Sequence, residues 1–282
     1  MVNLFKAFLY KLSKDLTFRI TLIVGAGLAV VLTLIYFLID YFMSMDGEMM
    51  HMFCTGESLL IGSLSPTQNF GLAIPINLIT FTVLEFTHGT IRNKIIAGNS
   101  KGKVYVALYL SGLIFTLSLM ITYVAICFGL GSAIGRFHPH GTIMSAVATG
   151  QISPEFLIKQ IVLAVVVYVF ITTFTIFFAT LFRNVGPCIP IVIIFLMICY
   201  FSASMAPIIG IFDENSSYMT VMKFINPLYA LASPTAVTND ETFVTTLSVE
   251  NDAFIAGIIM NLVYSAIFFV GGLFIFKKRD IK

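Results

Sequence analysis

The sequence has no tryptophan and only four cysteines, and Lys, Arg, Asp and Glu together make up 11% of its 282 residues. A soluble domain carries about 25% charged residues, so this chain has too little polar surface to clothe a water-soluble monomer. Disorder is excluded by the opposite excess: 58% of the residues are hydrophobic and 28 are Phe, and such surface does not stay solvated. The cysteines, at 54, 127, 188 and 199, form no CxxC pair, which removes a disulfide scaffold. The histidines at 51, 138 and 140 form no recognised zinc-binding motif, so no metal site is expected. No glycine-rich nucleotide loop is present. The nearest approach, Gly98-Asn99-Ser100-Lys101-Gly102-Lys103, is one residue short between its glycines, and Val104 stands where a magnesium-binding hydroxyl belongs. A net charge of +2 gives no ground for a nucleic-acid partner.

What the chain does have is long apolar runs. A helix crossing the hydrocarbon core needs ~20 mostly apolar residues, and six stretches qualify or come near: residues 20–39, 70–84, 104–132, 161–182, 187–211 and 253–276. The second is short and is expected to extend at one end. None alternates in polarity as a barrel strand would. With the N-terminus inside, 13 of the 16 Lys and Arg residues fall on the cytoplasmic side, and 11 of the 14 acids fall outside. That is the distribution the positive-inside rule demands. Both termini are therefore expected to be cytoplasmic. The first run is too long for a signal-peptide core and no cleavage site follows it, so it is read as an uncleaved anchor.

Residues 1–19 precede the first span. On a helical wheel Leu4, Phe5, Phe8, Leu9, Leu12 and Leu16 share one arc, and Lys6, Tyr10, Ser13, Lys14 and Thr17 lie opposite, while Lys11 and Asp15 sit off pattern. The pattern predicts an interfacial helix with its apolar face in the headgroup layer; a plain lead-in helix is the simpler alternative. The fold class is thus an all-α integral membrane protein, with residues 20–282 forming a six-span transmembrane domain. Residues 40–69, 133–160 and 212–252 are read as outer loops. In the last, Met222, Phe224, Ile225, Leu228, Tyr229 and Leu231 lie between acids and prolines, which predicts interfacial or re-entrant helices.

None of the six runs contains an Asp, Glu, His, Lys or Arg. Proton relays and voltage sensors place such groups inside the bilayer, so their absence argues against an ion-coupled carrier, although sodium sites can be built from carbonyls and hydroxyls. Function is better sought in residues 85–103. There Glu85 stands at a membrane boundary, Gly89-Thr90 makes a turn, and a short basic segment follows with Ile91, Arg92, Lys94 and Ile95. Ile91 and Ile95, four apart, share a helical face. Two readings fit: a basic loop holding lipid phosphates, or a docking helix for a cytoplasmic partner. Within the spans, Asn77 with Thr80, and Cys199 with Ser202 followed by Met205, form mild polar stripes. Such groups pack helices together or line a pathway.

The pattern Glu85…Gly89-Thr90-Ile91-Arg92…Lys94…Gly98-Asn99-Ser100-Lys101 resembles the cytoplasmic loop of type-two ATP-binding-cassette (ABC) exporter permeases, the group covering bacterial drug, polysaccharide and lantibiotic-type peptide exporters. The six runs, the entry helix, the long loop before the last span and the ending Phe276-Lys277-Lys278-Arg279-Asp280-Ile281 agree with it; Gly102 after Lys101 departs from it, since many relatives carry Arg after the Ser. The resemblance implies a non-enzymatic permease subunit in a bacterial plasma membrane. It further implies a coupling helix carrying Glu85, Gly89, Thr90, Arg92 and Lys94 onto a separate ATPase that binds ATP and Mg. A second permease, identical or paralogous, would complete a dimer, with spans two and five lining the path and a re-entrant outer gate. An uncharged, aromatic-rich interior suits amphipathic peptides or hydrophobic compounds. A secondary carrier and a non-transporting scaffold or sensor remain the alternatives.

Overall fold

The computed structural model describes residues 2–44, 56–66, 71, 73–134, 154–212, 217–232, 235–239 and 244–279. His51, Cys54, Arg136, His138 and His140 lie outside them.

Helix α1 (Val2–Lys14) ends where Asp15 intervenes, and α2 (Leu16–Ser44) begins at once. Asp15 is the cap of α2: its carboxylate accepts the Thr17 N–H at 2.9 Å, satisfying one of the donors that a helix start leaves open. Short α3 (Gly56–Leu64) and α4 (Ala73–Thr87) follow, then α5 (Thr90–Ile96), and then α6 (Lys101–Ile134), against which α1, α2, α3 and α4 all pack. Helices α7 (Pro154–Phe182) and α8 (Val185–Phe212) are joined by two residues. Arg183 makes that reversal in the left-handed region at φ 52°, and the Asn184 side chain caps α8 through the Gly186 N–H at 3.2 Å. Two short helices, α9 (Ser217–Ile225) and α10 (Tyr229–Ala232), precede strands β1 (Thr235–Asn239) and β2 (Val244–Ser248) and the last helix, α11 (Asn251–Lys278).

Among the described residues, five helices are long and apolar enough to cross a membrane: α2, α6, α7, α8 and α11. The expected second span differs from them. Helix α4 has 15 residues, which at 1.5 Å per residue reaches only ~22 Å of a ~30 Å hydrocarbon core. The helix that precedes it in the chain, α3, is a separate element. Residues 56–64, read from sequence as outer loop, form α3 and lie along the far half of α6. A Cβ added at Gly131 would meet the Gly56 backbone and Leu59, so the two backbones approach through paired glycines. Between α10 and α11 the otherwise helical fold carries one small hairpin, in which β1 pairs antiparallel with β2, Thr235 opposite Ser248 through Asn239 opposite Val244.

On α1, Leu4, Phe8 and Leu12 are 7%, 0% and 2% exposed and belong to the main buried cluster of the protein, while Leu16 of the same arc is 70% exposed. Part of the apolar arc is therefore packed against the bundle. On α2, by contrast, Ile23, Val24, Val31, Leu34 and Leu38 are exposed, as a lipid-facing surface requires. The interior is aromatic: Phe174 stacks on Phe195 at 4.4 Å between ring centres and meets Phe268 edge-on at 5.0 Å, tying α7 to α8 and α11.

Close packing makes one position on α11 intolerant of size. A Cβ at Gly272 would overlap the Tyr105 hydroxyl, and Tyr105 is wedged between Phe269 and Phe276. Gly272→Leu is expected to destabilise the protein by about 1–3 kcal/mol through overpacking. Gly129→Ala, where a Cβ meets nothing within 4 Å, serves as the neutral control. Thermal unfolding of both variants in the same detergent separates the two outcomes.

Candidate functional site

Glu85 is the first residue beyond the second apolar run, in the last turn of α4, and it is 1% exposed. A carboxylate buried to that degree needs partners for both oxygens. It has them from two other helices. Lys11 of α1 pairs with Oε1, and Lys94 of α5 reaches Oε2 at 3.2 Å. The Thr90 hydroxyl lies 2.6 Å from Oε2 and 2.8 Å from the Glu85 carbonyl, either of which can take its proton. Lys94 sits over the Phe8 ring, 3.0 Å from its centre, so α1 contributes an aromatic face as well as a cation. Three helices thus converge on one carboxylate.

The local chain explains how. Gly89 adopts φ 66°, a left-handed conformation that glycine reaches without a Cβ penalty, and it turns α4 directly into α5. At the other end of α5, Gly98 is left-handed at φ 89°, and the Asn99 side chain donates to the Lys94 carbonyl at 2.9 Å. The glycine-lysine stretch that falls short of a nucleotide loop is therefore the turn that starts α6.

The electrostatics follow from burial and from these partners. Burial alone would raise the Glu85 carboxyl, but the hydrogen bonds from Lys11 and Thr90 and the charges of Lys94 and Lys11 outweigh it, and Glu85 is held below its ordinary value. Burial acts the other way on Lys94: it lowers the ammonium below the usual lysine range despite the opposing pull of Glu85.

Ile91 is fully buried and Ile95 half-buried, so the apolar ridge of α5 packs into the protein itself. What α5 presents outward is Arg92, Asn93 and Ile96, the last 72% exposed. Around this face the basic end is held together by backbone contacts. Lys101 donates to the Lys277 and Arg279 carbonyls at 3.2 and 3.1 Å, where the open C-terminal end of α11 favours a cation. Arg279 donates to the Leu181 carbonyl, and Arg183 lies over Phe86 at 5.1 Å.

The span residues singled out by sequence behave differently. Asn77 donates to the Ala73 carbonyl and Thr80 to the Ile76 carbonyl, both at 2.9 Å and both within α4. Ser202 donates to Ile198 or Cys199 of its own helix, the Cys199 side chain is buried, and Met205 is 45% exposed. The side chain that gathers Cys199 and Ser202 is one that sequence reasoning missed. Asn226, between α9 and α10, donates to the Cys199 carbonyl at 2.6 Å and to Ser202 Oγ at 2.9 Å, while its own Oδ1 accepts the Leu228 N–H at 2.9 Å. Tyr218 donates to the Ser202 carbonyl at 2.7 Å. From α11, Asn261 donates to the Pro227 carbonyl at 2.8 Å and Tyr264 to the Ile225 carbonyl at 3.1 Å. The α9–α10 turn is thereby clamped between α8 and α11. An Asn-Pro pair flags a turn, but nothing in it names the helices that will hold it.

Residues 33–282 match a family model described as a protein of unknown function, DUF2705. No curated protein and no solved structure matches the chain significantly.

Proposed function

The chain belongs to the DUF2705 family, and we propose that it is the membrane-spanning permease subunit of an ATP-driven exporter of the type-two ABC class. The observation that carries this reading is the convergence of α1, α4 and α5 on Glu85. A helix of seven residues has no stability of its own, yet α5 is fixed at both ends by turns and in the middle by Lys94 and Ile91. Its exposed Arg92, Asn93 and Ile96 form a small rigid face at the basic end. A partner pushing on that face would move α4 and α1 with it. That is the mechanical requirement for coupling ATP hydrolysis on one subunit to rearrangement of another.

In this reading the basic end faces the cytoplasm of a bacterial cell, and both termini lie there. Helices α3 and α4 together make a sixth, interrupted span. ATP and Mg bind a separate ATPase, a second permease completes the dimer, and the clamped α9–α10 turn is the outward gate. None of the apolar runs carries a charged side chain, which favours amphipathic peptides or hydrophobic compounds as cargo over hydrated ions or sugars.

Arg92→Glu tests the assignment. The residue is exposed, so the variant is expected to insert and fold as the parent does, while ATPase co-purification and transport-linked stimulation of hydrolysis fall at least tenfold. Unchanged coupling would overturn the docking role of α5.

A further inference from the structure

Between α3 and α4, Pro66 and Gly71 lie close together: a Cβ added at Gly71 would collide with the Pro66 carbonyl. Both line a cavity of about 120 Å³. Its remaining walls come from Leu196, Met197, Tyr200 and Phe201 on α8, Ile171 on α7 and Leu228 beside α10. None of these residues carries a charge.

We propose that this cavity is a binding site for a compact apolar group, an aromatic ring or a branched alkyl chain of amino-acid side-chain size. The volume is close to the about 150 Å³ of an apolar cavity that stays dry and takes up benzene. The walls are predominantly apolar, so an apolar group entering from lipid displaces little that it must replace. The full acyl chain of a membrane lipid is far larger than the space. Access is lateral: Phe201 lines the cavity yet is 59% exposed, and Ile198, one turn before Ser202 on the same helix, is 62% exposed. The inner walls, Ile171 at 1% and Leu196 at 4% exposed, are closed. Leu228 forms part of the lining, and its backbone N–H is held by Asn226, so the cavity shares a wall with the clamp on α8. The inference rests on the proposed function only for what carries the apolar group, namely the amphipathic cargo of the exporter.

The test needs no ATPase. The full chain in lipid nanodiscs is photolabelled with a phenyl-sized diazirine probe and the adducts are mapped by mass spectrometry. Saturable labelling of Met197 and Tyr200 is expected, alongside non-saturable labelling of Ile198 from the lipid. Leu196→Trp, or the milder Leu196→Phe if the larger side chain prevents folding, is expected to cut the saturable part at least fivefold and leave Ile198 unchanged. Isobutylbenzene should compete; a phosphatidylglycerol with saturated sixteen-carbon chains should not. Non-saturable wall labelling, labelling indifferent to the filled cavity, or competition by the long-chain lipid alone would each overturn the assignment. Loss of the site would leave the Arg92 experiment untouched, and failure of that experiment would leave this site standing.

Discussion

Glu85→Ala is expected to destabilise the protein by about 3 kcal/mol, because removing one member of a buried ionic cluster leaves the others without compensation. Lys94 is the residue that suffers: it is 18% exposed and has nowhere else to place its charge except over Phe8. Lys11 is itself 40% exposed, but Lys11→Ala leaves Oε1 of the buried carboxylate without its partner and is expected to cost about 1–3 kcal/mol, no more than Glu85→Ala. Glu85→Gln, which keeps an acceptor for Thr90, should fall between. Unfolding temperatures in detergent give the order, and trypsin cleavage after Lys11 and Lys14 reports whether α1 has come away from the bundle. Equal stability of parent and Glu85→Ala would mean that the carboxylate holds nothing together. The same group sets an acid limit. Its folded carboxyl titrates below the ordinary value of 4.5, so its contribution is complete above that value and is lost as pH falls through the lower, folded one. The acid sensitivity of the parent should be blunted in Glu85→Gln.

The second large effect is expected at Asn226, which is 6% exposed. Asn226→Ala removes both donor contacts to α8 and leaves the buried Leu228 N–H without its acceptor. An unsatisfied buried amide costs about 1–3 kcal/mol, and the lost donors add to this. The α9–α10 turn should then exchange its amide hydrogens at least tenfold faster across residues 217–232, with the spans little changed. Asn226→Asp distinguishes the two halves of the contact, since it keeps the acceptor for Leu228 and loses both donors. Unaltered exchange in Asn226→Ala would show that Asn261, Tyr264 and Tyr218 hold the turn without it.

The five long helices were legible because each is an apolar run of sufficient length, a property that survives any packing arrangement. The grouping of Glu85, Thr90 and Lys94 was legible too, because a turn at Gly89 and one helical turn of α5 bring them together locally. Lys11 was visible only as an irregularity on the amphipathic wheel. It breaks the pattern because it answers to a carboxylate on another helix, just as Asp15 breaks it because it caps α2. The packing of Leu4, Phe8 and Leu12 on protein was hidden for a related reason: an apolar face looks the same in sequence whether lipid or protein covers it. Helix α3 was hidden by its nine residues, its two glycines and two serines, which read as loop. Asn226 and Asn261 belong to no spacing motif, and their contacts join residues far apart in the chain. Asn77 and Thr80, by contrast, stood out as polar residues in apolar surroundings, yet each is bonded within its own turn of helix.

The burial of Leu4, Phe8 and Leu12 has a practical corollary. A fluorophore on the exposed side of α1, at Tyr10 for instance, would answer to displacement of the neighbouring helix pair before it answered to the fluidity of the surrounding lipid. The amino-terminal helix is in that sense a gauge needle geared to the inner workings, and its movement can be read without touching the face where a partner would sit.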